Sequence, residues 1–338
     1  MYISSAEISI SQTETLLRPI VFIVVSILSG IPILFVYKKL KNSETIKKDF
    51  TDSAFYKMIA VVYTLVFLFG IIRTAARFDL FASSELFPGT EMTIFIIVLI
   101  VVCALLSLLG LGALSRAGSI FTVVVVTATS FVILSLVDEV DFLNFTPLFE
   151  DGVPNFLWDS LLFALQASEI GAITLVLSQL KGNVGKNYIL WAVFSGLSFS
   201  VILFFVVGTL GAFADTQLFP TYTAVTLAKF GLIERMDALE TAIWILCVVV
   251  KISFYILITV KCLKKVLVKV SEKILRIAVC VALAVIPAFV SDNIESFGFV
   301  SNNILTLVLY AVSVIILPCI LLVYYRKVKP YEKISEDI

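Results

Sequence analysis

The sequence predicts an all-α polytopic membrane protein, and its composition and the lengths of its apolar segments are the observations that indicate this. Hydrophobic residues make up 60% of the 338-residue chain and charged residues 15%, which is more apolar than a soluble domain. Apolar runs of about 18 to 25 residues recur along the chain, and a helix of that length crosses the hydrocarbon core of a bilayer. We therefore expect a single integral membrane domain built from transmembrane helices.

The apolar runs predict nine spans. They are residues 20–37, 58–77, 93–114, 120–137, 156–180, 188–213, 238–260, 277–290 and 304–325. The run 277–290 is short, so we expect its helix to extend on either side. Two longer connections, residues 78–92 and 214–237, mix aromatic, proline and glycine residues with apolar ones, which predicts short amphipathic helices at the outer interface. Residues 1–17 are a polar leader and residues 326–338 a cytoplasmic tail.

The basic residues indicate how the spans are oriented. Lys and Arg concentrate in alternate connections, residues 38–57, 181–186 and 261–276, and in the tail, whereas residues 138–151 carry acids and no base. Short loops rich in Lys and Arg stay in the cytoplasm. We therefore expect these connections inside, the acidic ones outside, and the N-terminus outside.

Composition also excludes several kinds of chemistry. The chain has no histidine, which removes Ser-His and Cys-His catalysis and imidazole metal sites. Its five cysteines are scattered in or beside apolar runs without CxxC spacing, as small buried hydrophobes are. The net charge of zero gives no reason to expect nucleic acid as a partner. We expect a non-enzymatic protein without a metal or cofactor.

The span 156–180, FLWDSLLFALQASEIGAITLVLSQL, carries Glu169 near its middle. A carboxylate at that depth costs at least a few kcal/mol unless it faces a cavity, a counter-charge or a ligand, so it is a candidate functional residue. Ala167, Ser168 and Gly171 surround it, and small residues beside a polar one suit a helix that opens at mid-depth to meet a solute. The alternative is that Glu169 is a neutral, hydrogen-bonded packing residue.

Lys251 is the second charge deep in a span. It lies ten residues before Lys261, roughly 15 Å along a helix, which puts it near mid-membrane. We expect Lys251 and Glu169 to approach each other or to share a zwitterionic ligand, because paired charges are how helix bundles tolerate ionisable groups. The alternative is that Lys251 meets backbone carbonyls or a water pocket and has no ligand role.

Three runs resemble a known family, the B subunits of spore germinant receptors, also called endospore germination permeases. Residues 218–246, LFPTYTAVTLAKFGLIERMDALETAIWIL, resemble the family's pre-helix region. The residues that carry this resemblance are Phe219, Pro220, Thr221, Glu234, Arg235, Glu240 and Trp244. GLGALSRAGSI, residues 110–120, is similar to a family loop with Arg116 at its basic position, and QASEIG, residues 166–171, places Glu169 on the family's acid.

This resemblance implies a relative of the amino acid-polyamine-organocation transporters, with ten helices in a LeuT-like, five-plus-five inverted repeat. Residues 20–137 would be the remainder of the first repeat and residues 156–325 the second. The nine spans would then be helices two to ten, with the family's first helix lacking. An additional upstream helix would return the N-terminus to the cytoplasm.

The resemblance also implies a function. The chain would be a germinant receptor subunit in the spore inner membrane that binds a small nutrient such as an amino acid and signals germination. Its implied partners are an A-type membrane subunit and a C-type lipoprotein. The expected ligand-binding residues are Ala167, Ser168, Glu169, Gly171 and Lys251. The alternatives are a secondary amino-acid transporter of the same superfamily and a degenerate truncated paralogue that binds nothing.

Overall fold

The fold is an all-α helix bundle. The computed structural model describes residues 13–41, 54–88, 92–146, 152–164, 170–176, 182–228, 236–291 and 302–324. Throughout these ranges the regular structure is helical, and none of them contains a strand. Six helices in the described residues are long and apolar enough to cross a membrane. The prediction of an all-α polytopic membrane protein is confirmed.

Eleven α-helices are described. They are α1 Arg18–Lys41, α2 Ala54–Phe81, α3 Met92–Leu108, α4 Gly110–Ser135, α5 Val153–Ala164, α6 Ile170–Val176, α7 Val184–Leu210, α8 Pro220–Leu227, α9 Asp237–Val266, α10 Glu272–Ser291 and α11 Asn303–Tyr310. A π-helical turn, Ala311–Ile316, follows α11 directly, and the helical span reaches Tyr324. The short run 277–290 extends on both sides within α10, as expected.

The connection predicted at residues 110–120 is wrong. The chain leaves α3 at Leu108 and enters α4 at Gly110, so these residues form the first turns of a helix and Arg116 projects from it, exposed. The break lies instead at Leu109 and Gly110, where Gly110 has a φ of 79°. This left-handed conformation favours glycine, because a Cβ would clash with the backbone. The two spans are thus separated by a corner of about one residue.

The two connections predicted to form amphipathic helices at the outer interface differ in the structure. Helix α2 runs through residues 78–81, where Phe78 and Asp79 are buried, and a π-helical turn, Ala82–Leu86, follows it. The beginning of residues 78–92 therefore belongs to a long helix and not to a separate amphipathic one. Residues 214–237 contain the short helix α8, with Pro220 at its beginning, where the missing N–H of proline has no consequence. Four of its eight residues are buried, and a position of α8 at the membrane interface stays a prediction.

Helix α9 is the centre of the bundle. It packs against α2, α3, α4 and α10. It lies close to α2 at Gly70, where an added Cβ would stand 2.9 Å from Cε2 of Tyr255. Near the N-terminal end of α9, Trp244 packs edge-to-face on Phe81 of α2, with 4.1 Å between ring centroids. These contacts leave the opposite face of α9 directed toward α4 and α7.

Helix α1 packs between α5 and α7. Gly196 of α7 lies so close to α1 that an added Cβ would stand 2.6 Å from Cδ1 of Ile23. At the beginning of α1, Nη2 of the fully buried Arg18 donates to Oδ2 of Asp159 on α5, at 3.2 Å. Glu14 and Asp215 also lie near this guanidinium. The sequence analysis gave Arg18 no role, and the structure makes it the link between α1 and α5.

Candidate ligand-binding cavity

The described residues include two of the five predicted ligand-binding residues. Ala167, Ser168 and Glu169 lie outside them, between the end of α5 at Ala164 and the beginning of α6 at Ile170. Their predicted role, and the predicted approach of Glu169 to Lys251, stay predictions. Within the run 156–180, the described residues belong to α5, which is described to Ala164, and to α6, which is described from Ile170 to Val176.

Gly171 is a packing residue in this structure. It is buried on α6, and an added Cβ would stand 2.9 Å from Cβ of Ser313 and 3.3 Å from the carbonyl oxygen of Ser313. Ser313 belongs to the π-helical turn Ala311–Ile316. Glycine therefore lets α6 approach the backbone of this turn, because any side chain would separate the two elements.

Buried hydroxyl groups surround the contact between α6 and the π-helical turn. Tyr63 of α2 donates its hydroxyl to the carbonyl oxygen of Ser313 at 2.9 Å. The hydroxyls of Ser29 on α1 and Tyr310 on α11 share a hydrogen bond of 2.7 Å. A π-helical turn disturbs the regular helical hydrogen bonds, and Tyr63 gives one of its carbonyls a partner. These bonds fix α1, α2 and α11 relative to one another beside α6.

Lys251 faces a cavity of about 640 Å³ between α4, α7 and α9. It stands at the midpoint of α9 and is partly exposed. Its Nζ lies 5.9 Å from the ring centroid of Tyr255, within the range of a cation–π interaction. Ligand cavities in proteins hold roughly 300 to 1,000 Å³. The cavity is large enough for a small-molecule ligand.

The cavity walls are apolar with a few hydroxyl groups. Phe121 of α4, Phe199 of α7 and Phe254 of α9 supply aromatic surface. Phe199 packs edge-to-face on Phe163, with 5.2 Å between ring centroids, and Phe163 is one residue from the end of α5. The cavity therefore lies one aromatic ring away from the end of α5, where the chain enters the predicted Glu169 region.

This arrangement suits the binding of a ligand that carries a carboxylate. An ammonium in an apolar cavity attracts a carboxylate strongly, because the surrounding medium screens charge poorly. Among the residues that the structure describes, no group of three or more cysteine, aspartate or glutamate residues is placed to hold a metal ion. Sequence reasoning identified Lys251 but not the walls on α4 and α7, whose only signal was serine and threonine within apolar runs.

The long apolar helices define a class, the α-helical integral membrane proteins, and the cavity beside Lys251 has the size of a ligand site. The comparisons with known proteins give the family. The model of the spore germination protein family matches residues 11–296. Because this match covers most of the chain, the chain belongs to the spore germination protein family, as its sequence motifs predicted. A search of curated proteins finds no match to the chain.

Proposed function

We propose that this protein is the nutrient-binding membrane subunit of a spore germinant receptor. A small nutrient germinant, such as an amino acid, occupies the cavity between α4, α7 and α9, and its carboxylate pairs with Lys251. Membership of the spore germination protein family supports a role in germination. The observation that carries the ligand assignment is the cavity of about 640 Å³ with Lys251 in its wall, since charged residues within transmembrane helices mark functional sites.

A ligand on α9 is well placed to act as a signal. Helix α9 packs against α2, α3, α4 and α10, and it also contacts α6 and α8. A ligand that binds one arrangement of α4 and α7 around α9 more tightly than another shifts the population toward that arrangement. Coupling of roughly 1 to 3 kcal/mol is typical of such signals. The receptor partners in this proposal are an A-type membrane subunit and a C-type lipoprotein in the spore inner membrane.

The first prediction tests Lys251 in spores that carry the variant chain. With an equimolar mixture of the twenty amino acids as the nutrient, Lys251→Met raises the concentration for half-maximal germination roughly tenfold or more. The reason is the loss of a charge-assisted hydrogen bond, which contributes about 1.5 to 3 kcal/mol. Lys251→Arg retains part of the response because it keeps the charge. Germination is followed by the loss of spore optical density.

The matched control is Lys261→Met, the same change ten residues along α9 near its basic end. This variant germinates as the parent does. Membrane abundance of each variant is measured by immunoblot, because a bundle that fails to assemble also loses the response. Equal responses in Lys251→Met and Lys261→Met spores, at equal abundance, contradict the proposed ligand site.

A second prediction separates this receptor from a secondary transporter. A transporter must release its solute on the far side of the membrane, whereas a receptor needs only differential affinity between two conformations. The purified chain in liposomes therefore takes up labelled amino acids no faster than protein-free liposomes do. Saturable uptake that Lys251→Met abolishes and Lys261→Met retains would establish the transporter instead.

A further inference from the structure

A second, smaller space lies beside the cavity at Lys251, toward the N-terminal end of α9. Its volume is about 100 Å³, and Glu240 lies in its wall. The two spaces share part of their lining, including Val125 and Thr129 of α4, Ile202 of α7 and Cys247 of α9. They are therefore neighbours along α9, and we call the two together the elongated cavity.

This elongated cavity has an acidic side chain near one end and a basic side chain near the other. Glu240 lies one turn into α9, and Lys251 lies about three turns further on, on the same face of the helix. Their Cα atoms are roughly 16 Å apart along the helix axis. With the predicted orientation, the carboxylate is near the outer surface and the ammonium is at mid-depth. A dipolar ligand has one favourable direction in such a cavity.

The hydroxyl groups of the wall are presented to a ligand as hydrogen-bond acceptors. Thr122 donates its proton to the carbonyl oxygen of Gly118 at 2.8 Å, and Ser198 donates to that of Phe194 at 2.9 Å. Ser130 of α4 also donates to its own helix. Because each proton points back at the helix, the oxygen lone pairs stay available to the cavity. Such a wall favours a ligand with N–H donors between its ends.

Size separates the possible dipolar ligands. A cavity of about 150 Å³ holds a molecule of six heavy atoms such as benzene, and the space at Lys251 alone is about 640 Å³. The two charged groups of an α-amino acid are only about 2.5 Å apart. With a hydrogen bond of about 3 Å at each end, a ligand that reaches both side chains needs roughly 10 Å between its own charges. Three extended residues supply about that length.

We propose that the elongated cavity binds a short apolar peptide of about three residues, with its free amino terminus on Glu240 and its terminal carboxylate on Lys251. This inference rests on the proposed function in one respect, the use of Lys251 as the carboxylate partner. In this inference the ligand is an extended peptide and not a compact amino acid. Both ionisable side chains and the hydroxyl oxygens between them hold the peptide.

The test is a titration of the purified full-length chain in detergent micelles, with trialanine and alanine as probes and calorimetry as the readout. Trialanine binds at least roughly tenfold more tightly than alanine, since it forms one more charge-assisted contact. N-acetyl trialanine and trialanine amide each bind roughly tenfold more weakly than trialanine. An unfolding midpoint measured for every variant shows which of them are folded.

Paired changes in protein and ligand identify which end meets which residue. In Glu240→Gln, acetylation of the peptide no longer matters, whereas amidation still does. In Lys251→Met the pattern is the reverse, because a removed partner leaves no interaction energy to lose. Acetylation and amidation effects that are the same in all three proteins overturn the assignment of the two ends.

The other outcomes separate this inference from the proposed function. If alanine binds as tightly as trialanine, and its binding depends on Lys251 but not on Glu240, the peptide inference is wrong and the proposed function stands. If trialanine binds through both charges but Lys251→Met spores germinate as Lys261→Met spores do, the inference stands and the proposed function is wrong. Native mass spectra that show only bound phospholipid, undisplaced by trialanine, also overturn the peptide inference.

Discussion

Helices α9 and α4 are both apolar enough to cross a membrane, yet the bundle uses them in opposite ways. In the most apolar stretch of α9, 61% of the residues are buried inside the protein, whereas in that of α4 only 6% are. Helix α9 packs on α2, α3, α4 and α10, whereas α4 packs on α9 and α3 and contributes one wall of a cavity. Hydropathy therefore predicts that a helix crosses the membrane, but it does not predict which faces of the helix contact protein and which contact lipid.

The physical reason is that lipid tails are as apolar as the side chains of a protein interior. Helices in a bilayer associate through close packing and hydrogen bonds, since burial of apolar surface gives no advantage over lipid contact. The packed half of this bundle shows such contacts at Gly196 against Ile23 and at Gly70 against Tyr255. On α4, an added Cβ at Gly118 would meet nothing within 4 Å. The comparison predicts that substitutions act strongly in the packed half and weakly on α4.

The largest effect is expected at the pair of Arg18 and Asp159. Asp159→Ala removes the carboxylate that this fully buried guanidinium bonds, while Glu14 and Asp215 remain nearby, and we expect a destabilisation of about 3 kcal/mol. The measurement is the free energy of unfolding of the purified chain in detergent, from a denaturant titration. The double variant Arg18→Met, Asp159→Ala loses less than the sum of the single variants, because the two side chains are in contact.

Asp138→Ala is the control for this pair, because it removes an exposed carboxylate at the same predicted side of the membrane. It changes the free energy of unfolding by less than about 0.5 kcal/mol. If Asp159→Ala lowers the free energy of unfolding no more than Asp138→Ala does, the ion pair between α1 and α5 does not stabilise the packed half. The difference between the packed half and α4 would then have no electrostatic contribution.

Two glycine substitutions are expected to change the free energy of unfolding by smaller amounts and in opposite directions. Gly196→Ala forces a Cβ to within 2.6 Å of Ile23 and 3.2 Å of the carbonyl oxygen of Pro19, and overpacking of this kind destabilises by about 1 to 3 kcal/mol. Gly118→Ala meets nothing and stabilises its helix by up to about 1 kcal/mol, since alanine is the better helix former. The same denaturant titration compares both variants with the parent chain.

This pair of substitutions is its own control, because both replace a glycine inside a transmembrane helix by alanine. A destabilising Gly118→Ala, comparable to Gly196→Ala, would mean that another element covers α4 in the folded protein. A neutral Gly196→Ala would mean that α1 and α7 separate easily. Either result would remove the distinction between the packed half and the open half of the bundle.

Much of the fold followed from the sequence, and the misses have physical causes. Apolar runs located the spans, and the short run 277–290 was correctly expected to extend. The corner between α3 and α4 was misplaced because Arg116 was taken as a sign of a loop, whereas the backbone turns at Gly110. The depth of Lys251 was predicted, because depth follows from counting residues along a helix.

The sequence by itself determined that this chain is a polytopic membrane protein, roughly where its apolar spans lie, and which family its motifs resemble. Only the tertiary structure decided that Gly171 packs on the turn at Ser313, whereas Lys251 faces a cavity that adjoins a second space lined by Glu240. Inside a bilayer every face of a helix is apolar, so no periodic pattern distinguishes a face toward lipid from one toward protein. That distinction comes from the shapes of neighbouring helices, and those are set by contacts between residues far apart in the chain.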